Sequence, residues 1–138
     1  MRMRVFLDAN ILFSASNLQG KTAETLRMLV SRNHEIVTNL YAWDEVCRNV
    51  SVKFPRGLEG LILIRERLQI LDTFTPPLPL DIVCAEKDIP ILAGAIDAQC
   101  THLWTGDKAH LGQFYGRRIQ GVTVVSGSMM YELLVQSL

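Results

Sequence analysis

Cysteine is scarce and poorly placed for pairing: Cys47, Cys84 and Cys100 are an odd number with no C-x-x-C spacing. That pattern excludes a disulfide framework and a thiolate zinc site, and implies reduced thiols in the cytoplasm. Histidine is equally sparse, and His34, His102 and His110 lack zinc-site spacing. An excess of one charge is also absent, because 14 Lys and Arg offset 14 Asp and Glu. A protein that coats nucleic acid by bulk electrostatics needs many surplus cations, so that class is excluded while a local basic rim is not. No apolar run approaches membrane length. The longest, Ile89 to Ile96, is too short to cross a bilayer, and Val5 to Leu7 is too short for a signal-peptide core. Proline clusters only at Thr75 to Pro79, too briefly for a linker, so 1–138 is expected to form one domain.

Hydrophobic residues are plentiful, at 49% of the chain, which is enough for a buried core. Met3 to Leu7 reads as a buried strand ended by Asp8. Thr22 to Ser31 carries helical apolar spacing at Ala23, Leu26, Leu29 and Val30. Glu35 to Thr38 reads as a second strand, and Asn39 as the cap of a helix from Leu40 to about Lys53. In that helix Leu40, Trp43, Cys47 and Val50 are expected to share the buried face. A helix over Leu58 to Leu68 follows, then Gln69 to Phe74, which reads equally as a strand or as a continuation of that helix, a short helix over Leu80 to Ala85 and a longer one over Ile89 to Gln99. His102 to Thr105 and Val122 to Val125 read as strands, and Ser128 to Val135 as a closing helix. Strands alternating with helices imply a parallel sheet covered on both faces. Ligands of such sheets bind beyond the carboxyl ends of the strands.

Four acids answer to that rule. Asp8 directly follows the first strand, where it would either cap the next helix or emerge at the sheet edge. Asp107 follows the fourth strand in HLWTGDKAHL, with Gly106 permitting a sharp turn. If those strands are neighbours, the two carboxylates emerge side by side and call for a cation. Asp88 precedes Ile89-Pro90, which suits an N-cap, yet it also lies in line with the buried side of that helix. Asp97 falls on nearly the opposite face at about 100° per residue and is read as a solvated acid. On the third helix, spacing alone does not choose between Asp44 and Glu45. An all-oxygen cluster of this kind suits Mg²⁺ or Mn²⁺ rather than zinc.

VFLDANIL, the acid in AWDEVCRNV, KDIPILAGAIDA and HLWTGDKAHL resemble, in order, the four acidic motifs of the PIN-domain family. The resemblance runs over nearly the whole chain and is strongest towards small prokaryotic toxins of toxin–antitoxin systems, the VapC-like ribonucleases. It implies a Rossmann-like three-layer α/β/α fold with a central parallel sheet of four to five strands. It implies Asp8, Glu45, Asp88 and Asp107 as catalytic and metal-holding acids. Glu45 is taken over Asp44 because the family's glutamate directly precedes an aliphatic residue, here Val46. Asn10 and Thr105 match supporting positions. The activity implied is cleavage of RNA phosphodiesters with Mg²⁺ or Mn²⁺. An antitoxin protein and a second copy of the chain are the partners implied.

Cations near the acids are the candidate RNA contacts: Lys108, Arg117 and Arg118 follow Asp107, and Arg48 follows Glu45. Two competing classes remain open at this level. One is an RNA-binding or regulatory module that keeps the acids without relevant nuclease activity. The other is a phosphohydrolase of another α/β family, since an aspartate after strand one is a common device for phosphoryl transfer. An aspartyl-phosphate enzyme would normally carry a second acid two residues later, where this chain has Asn10.

Overall fold

Six strands form the centre of the molecule: β1 (Arg4–Leu7), β2 (Glu35–Asn39), β3 (Leu68–Leu71), β4 (His102–Trp104), β5 (Arg118–Ile119) and β6 (Val122–Val125). The computed structural model describes residues 2–73 and 75–136. The strands lie in the order β3-β2-β1-β4-β6-β5. All neighbours are parallel except β5, which pairs antiparallel with β6 through a turn at Gln120 and Gly121, both with positive φ. Val5, Phe6, Leu7 and Leu103 are fully buried and Trp104 nearly so. Because successive strand side chains point to opposite faces, strands buried at every position must be covered on both sides. The cover comes from α1 (Ala9–Ala15), α2 (Lys21–Ser31), α3 (Leu40–Lys53), α4 (Leu58–Arg65), α5 (Ile89–Asp97) and α6 (Gly127–Gln136). Among the described residues no helix is long and apolar enough to cross a membrane.

Most sequence expectations hold, with four corrections. The sheet has six strands rather than four to five, because the two-residue strand β5 is too short to show a period. Leu80 to Ala85 forms no helix. Only Ile82 there is buried, while Leu80 and Val83 face solvent, so no apolar face exists to hold a helix down. Helix α4 stops at Arg65, and Leu68 opens β3, which ends at Leu71. Phe74, the last residue of the predicted strand, lies outside the described residues. The buried stripe of α3 is Ala42, Val46 and Val50, not Leu40, Trp43, Cys47 and Val50. The aromatic and thiol side chains pack at the margin, and Leu40 is 42% exposed.

Helix α4 meets the end of α1 at Gly60, where a Cβ would lie 2.2 Å from the Ser16 carbonyl oxygen. Both groups at that contact are backbone, so neither can swing aside. Gly60→Ala is expected to cost about 1–3 kcal/mol, by analogy with other overpacked contacts. At this chain length that lowers the melting temperature by roughly 5–10 °C. An unchanged thermal melt would show that the helices do not pack so closely.

Candidate active site

Strands β1 and β4 are neighbours, and from this seam the chain winds outward in opposite directions, to β2 and β3 on one side and β6 on the other. Such a reversal opens a crevice at the carboxyl ends of the two strands. Asp8 and Thr105 are the first residues past those ends, and their amides carry the ladder one step further, to Trp104 O at 3.1 Å and Val125 O at 3.1 Å.

Asp8 serves both roles left open by its position. Its Oδ1 accepts from the Ala9 amide at 2.7 Å, capping α1. Its Oδ2 accepts from the Thr105 hydroxyl at 2.7 Å and from Asn10 Nδ2 at 3.4 Å. The carboxyl is 5% exposed. Burial pushes its pKa up to about 6 against these hydrogen bonds, and the charges of Asp88 and Glu45 push the same way. Asn10 also accepts from the Gly106 amide at 2.8 Å, and Thr105 Oγ1 accepts from the Asp107 amide at 3.1 Å. The two supporting residues thus tie the end of β1 to the turn that carries Asp107.

Asp88 is not the N-cap that its sequence suggests. A 3-10 turn over Glu86–Asp88 runs straight into α5, leaving Asp88 with helical backbone angles instead of the extended ones a cap requires. Pro90 supplies no amide for it to hold. The carboxyl is 5% exposed, and its Oδ2 is buried without a hydrogen-bond partner. Burial raises its pKa. Lys87 opposes that rise, Asp107 and Glu45 add to it, and His110 opposes it in turn.

Glu45 separates from Asp44 once the real stripe of α3 is known. It flanks Ala42 and Val46 and is half-buried, whereas Asp44 is exposed. Its charge acts on Asp8, Asp88 and Tyr41, while that of Asp44 acts on Cys47. Asn39 caps α3 through Oδ1 on the Ala42 amide at 3.0 Å and donates through Nδ2 to Pro90 O at 3.1 Å. The Tyr41 hydroxyl donates to Lys87 O at 2.9 Å. The helix bearing Glu45 is therefore fastened to the turn and helix bearing Asp88.

Asp107 Oδ1 accepts from the His110 amide at 3.1 Å and faces His110 Nδ1 at 3.3 Å; Lys87 Nζ stands 3.7 Å from Oδ2. Asp88, Asp107 and His110 each offer one donor atom within 4.8 Å of the others, and the charge of Glu45 acts on both Asp8 and Asp88. Sequence reading placed His110 among scattered histidines and overlooked Lys87; the signals were the i, i+3 step from Asp107 and adjacency to Asp88. The predicted cations divide. Lys108 is exposed beside Asp107 and Arg48 is exposed on α3. Arg117 pairs with Asp81 at 3.2 Å. Arg118 lies opposite Thr123, which is level with His102 at the amino end of β4, so the fold does not bring it to the acids. Asp97 is exposed, as expected.

The donor set suits a hard divalent cation. Several carboxylates crowd one crevice, and one buried oxygen has no protein partner, an arrangement that is costly unless a positive ion completes it. Asn10→Ala should test the bracing. Both its links vanish, and the expected result is a loss of about 10–100-fold in divalent-ion affinity with the fold retained, read by calorimetry and circular dichroism.

No family model matches the chain, and neither does any curated protein. Solved structures do resemble it. A chain of VapBC2 from Rickettsia felis, bound to a DNA fragment from their promoter, aligns at TM-score 0.67 and 20% identity, over 90% of this chain and 98% of that one. VapC20 of Mycobacterium tuberculosis, a Sarcin-Ricin loop cleaving toxin, aligns at TM-score 0.52 and 10% identity, over 76% and 91%. A PilT N-terminus domain protein of Sulfolobus solfataricus aligns at TM-score 0.50 and 15% identity, over 99% and 94%. The chain thus has the PIN (PilT N-terminus) fold.

Proposed function

We propose that this chain is a divalent-metal-dependent endoribonuclease and the toxin component of a toxin–antitoxin pair. The observation that carries the reading is the partnerless buried carboxylate of Asp88, set among Asp8, Glu45 and Asp107 at the switch point of a PIN fold. VapC20 cleaves the Sarcin-Ricin loop, an RNA, and VapBC2 binds promoter DNA as a complex. Both facts favour RNA as substrate and an antitoxin as partner.

Bound among these acids, Mg²⁺ or Mn²⁺ supplies Lewis-acid polarisation of the phosphodiester. The chain's own contribution is placement. Thr105 and Asn10 fix the Asp8 carboxylate, leaving its ionised form ready to meet positive charge. Asn39 and Tyr41 hold Asp88 in register with Glu45. Lys87 and Lys108, both exposed at the rim, draw the RNA backbone towards an acidic crevice that would otherwise repel it.

Cleavage of a panel of structured and single-stranded RNAs, with and without Mn²⁺, tests the reading. Metal-dependent scission that disappears in Asp8→Asn and Asp107→Asn is expected. RNA binding without scission would favour a regulatory module, and metal-independent cleavage surviving Asp8→Asn would refute the assignment. Growth arrest on expression, relieved by a co-expressed neighbouring antitoxin, tests the toxin role.

A further inference from the structure

The tightest cluster in the crevice is not all oxygen. Asp88, Asp107 and His110 offer donors within 4.8 Å of one another, whereas three donors about 2.1–2.3 Å from a shared cation lie within about 4.5 Å. The trio must draw inward to share one ion, and His110, its most exposed member, has room to move. The trio is also marked independently of its acidity, because Asp88 is 5% exposed and keeps Oδ2 buried with nothing on the protein to meet it.

His110 is well prepared to be the third donor. Its amide and its ring Nδ1 both face Asp107 Oδ1, so the turn from Asp107 fixes where the imidazole stands. Its side chain is 45% accessible, leaving the ring open to an incoming ion. Lys87 stands at the other oxygen of Asp107 and is 59% exposed, free to swing away. The remaining described histidines stand elsewhere in hydrogen bonds. His34 Nδ1 accepts from the Met3 amide, and His102 Nδ1 meets Thr101 Oγ1.

We propose that His110 donates a ring nitrogen to a cation held with Asp88 and Asp107, making this half of the crevice selective for first-row transition ions over Mg²⁺. Asp8 and Glu45, which lie outside the trio, offer oxygen alone, and the charge of Asp88 acts on Asp8 while that of Asp107 acts on Asp88. Nitrogen donors favour transition ions, whereas Mg²⁺ keeps to oxygen. The inference rests on the metal-dependent reading above and adds a ligand to it.

Mn²⁺ is the probe. Electron spin-echo envelope modulation of the Mn²⁺-loaded protein is expected to show ¹⁴N coupling from a directly bound ring nitrogen. The coupling should vanish in His110→Gln and His110→Asp. By calorimetry, His110→Gln should weaken Co²⁺ binding by about 10-fold or more and leave Mg²⁺ binding within about 2-fold. His110→Asp, which restores an oxygen, should narrow the gap between the two ions. Mn²⁺ bound without ¹⁴N coupling, or coupling that survives His110→Gln, overturns the inference while leaving the four-acid reading in place. Absence of any divalent-ion binding by the folded wild type overturns both.

Discussion

Asp8→Asn is expected to lower RNA cleavage on the order of 10³-fold, equivalent to about 4 kcal/mol of barrier, without loss of fold. The substituted side chain has the same shape. Its carbonyl still accepts from the Ala9 amide, and its amide group meets the Thr105 hydroxyl, which accepts as readily as it donates. What disappears is the negative charge at the switch point, together with the long hydrogen bond from Asn10 Nδ2, which an amide NH2 cannot accept. Removing the charge should severely weaken divalent-ion binding where Asp8 is a ligand, and with it the capacity to neutralise a phosphodiester in the crevice. The check pairs cleavage rates with a thermal melt. A variant that melts normally yet retains a tenth of wild-type activity would remove Asp8 from the catalytic group.

The same carboxylate makes a second large effect measurable without substrate. Its pKa is near 6 in the folded protein against 3.8 for an unperturbed group, so between those values the native state holds a proton that the unfolded chain has released. Stability of the metal-free protein therefore falls as pH rises through this window, by on the order of 2–3 kcal/mol, and the cost is fully incurred above about pH 6. Asp88 acts in the same direction. Glu35, held below its usual value by the Arg4 guanidinium, acts oppositely, so the informative quantity is the difference between wild type and Asp8→Asn. Urea unfolding in EDTA at pH 5 and pH 7.5 should show Asp8→Asn gaining relative stability at the higher pH. Saturating Mn²⁺ should restore the wild type by about 2.7 kcal/mol at 100 times its dissociation constant. Equal pH profiles for the two proteins would mean that Asp8 is not the strained carboxyl described here.

Much of this arrangement was legible in the sequence because strand ends and turn residues announce themselves locally. Asp8 and Asp107 needed only the rule that ligands gather beyond parallel strands. Asn39 was readable as a cap, though its second hydrogen bond, to Pro90 O, spans 51 residues and leaves no local trace. The α3 stripe was misplaced because Leu40, Trp43 and Cys47 are more hydrophobic than Ala42. Ala42 is fully buried, and close packing at that position favours a small side chain that hydrophobicity alone does not mark. Asp88 stayed divided between two roles at the level of sequence: as a cap it satisfies every local rule, and only the 3-10 turn before it shows that the carboxyl is spare. His110 has no second histidine at ligand spacing, and its only local mark is the three-residue step from Asp107.

The close approach of α5 to Asn39 has a genetic consequence. A Cβ at Gly94 would lie 2.6 Å from Asn39 Nδ2, the atom that grips Pro90 O. A screen for inactive alleles should therefore not return acid codons alone. Gly94, six residues from Asp88, is where one added methyl would push Asn39 aside and loosen Glu45 from Asp88. Survivors at that codon would still carry all four carboxylates.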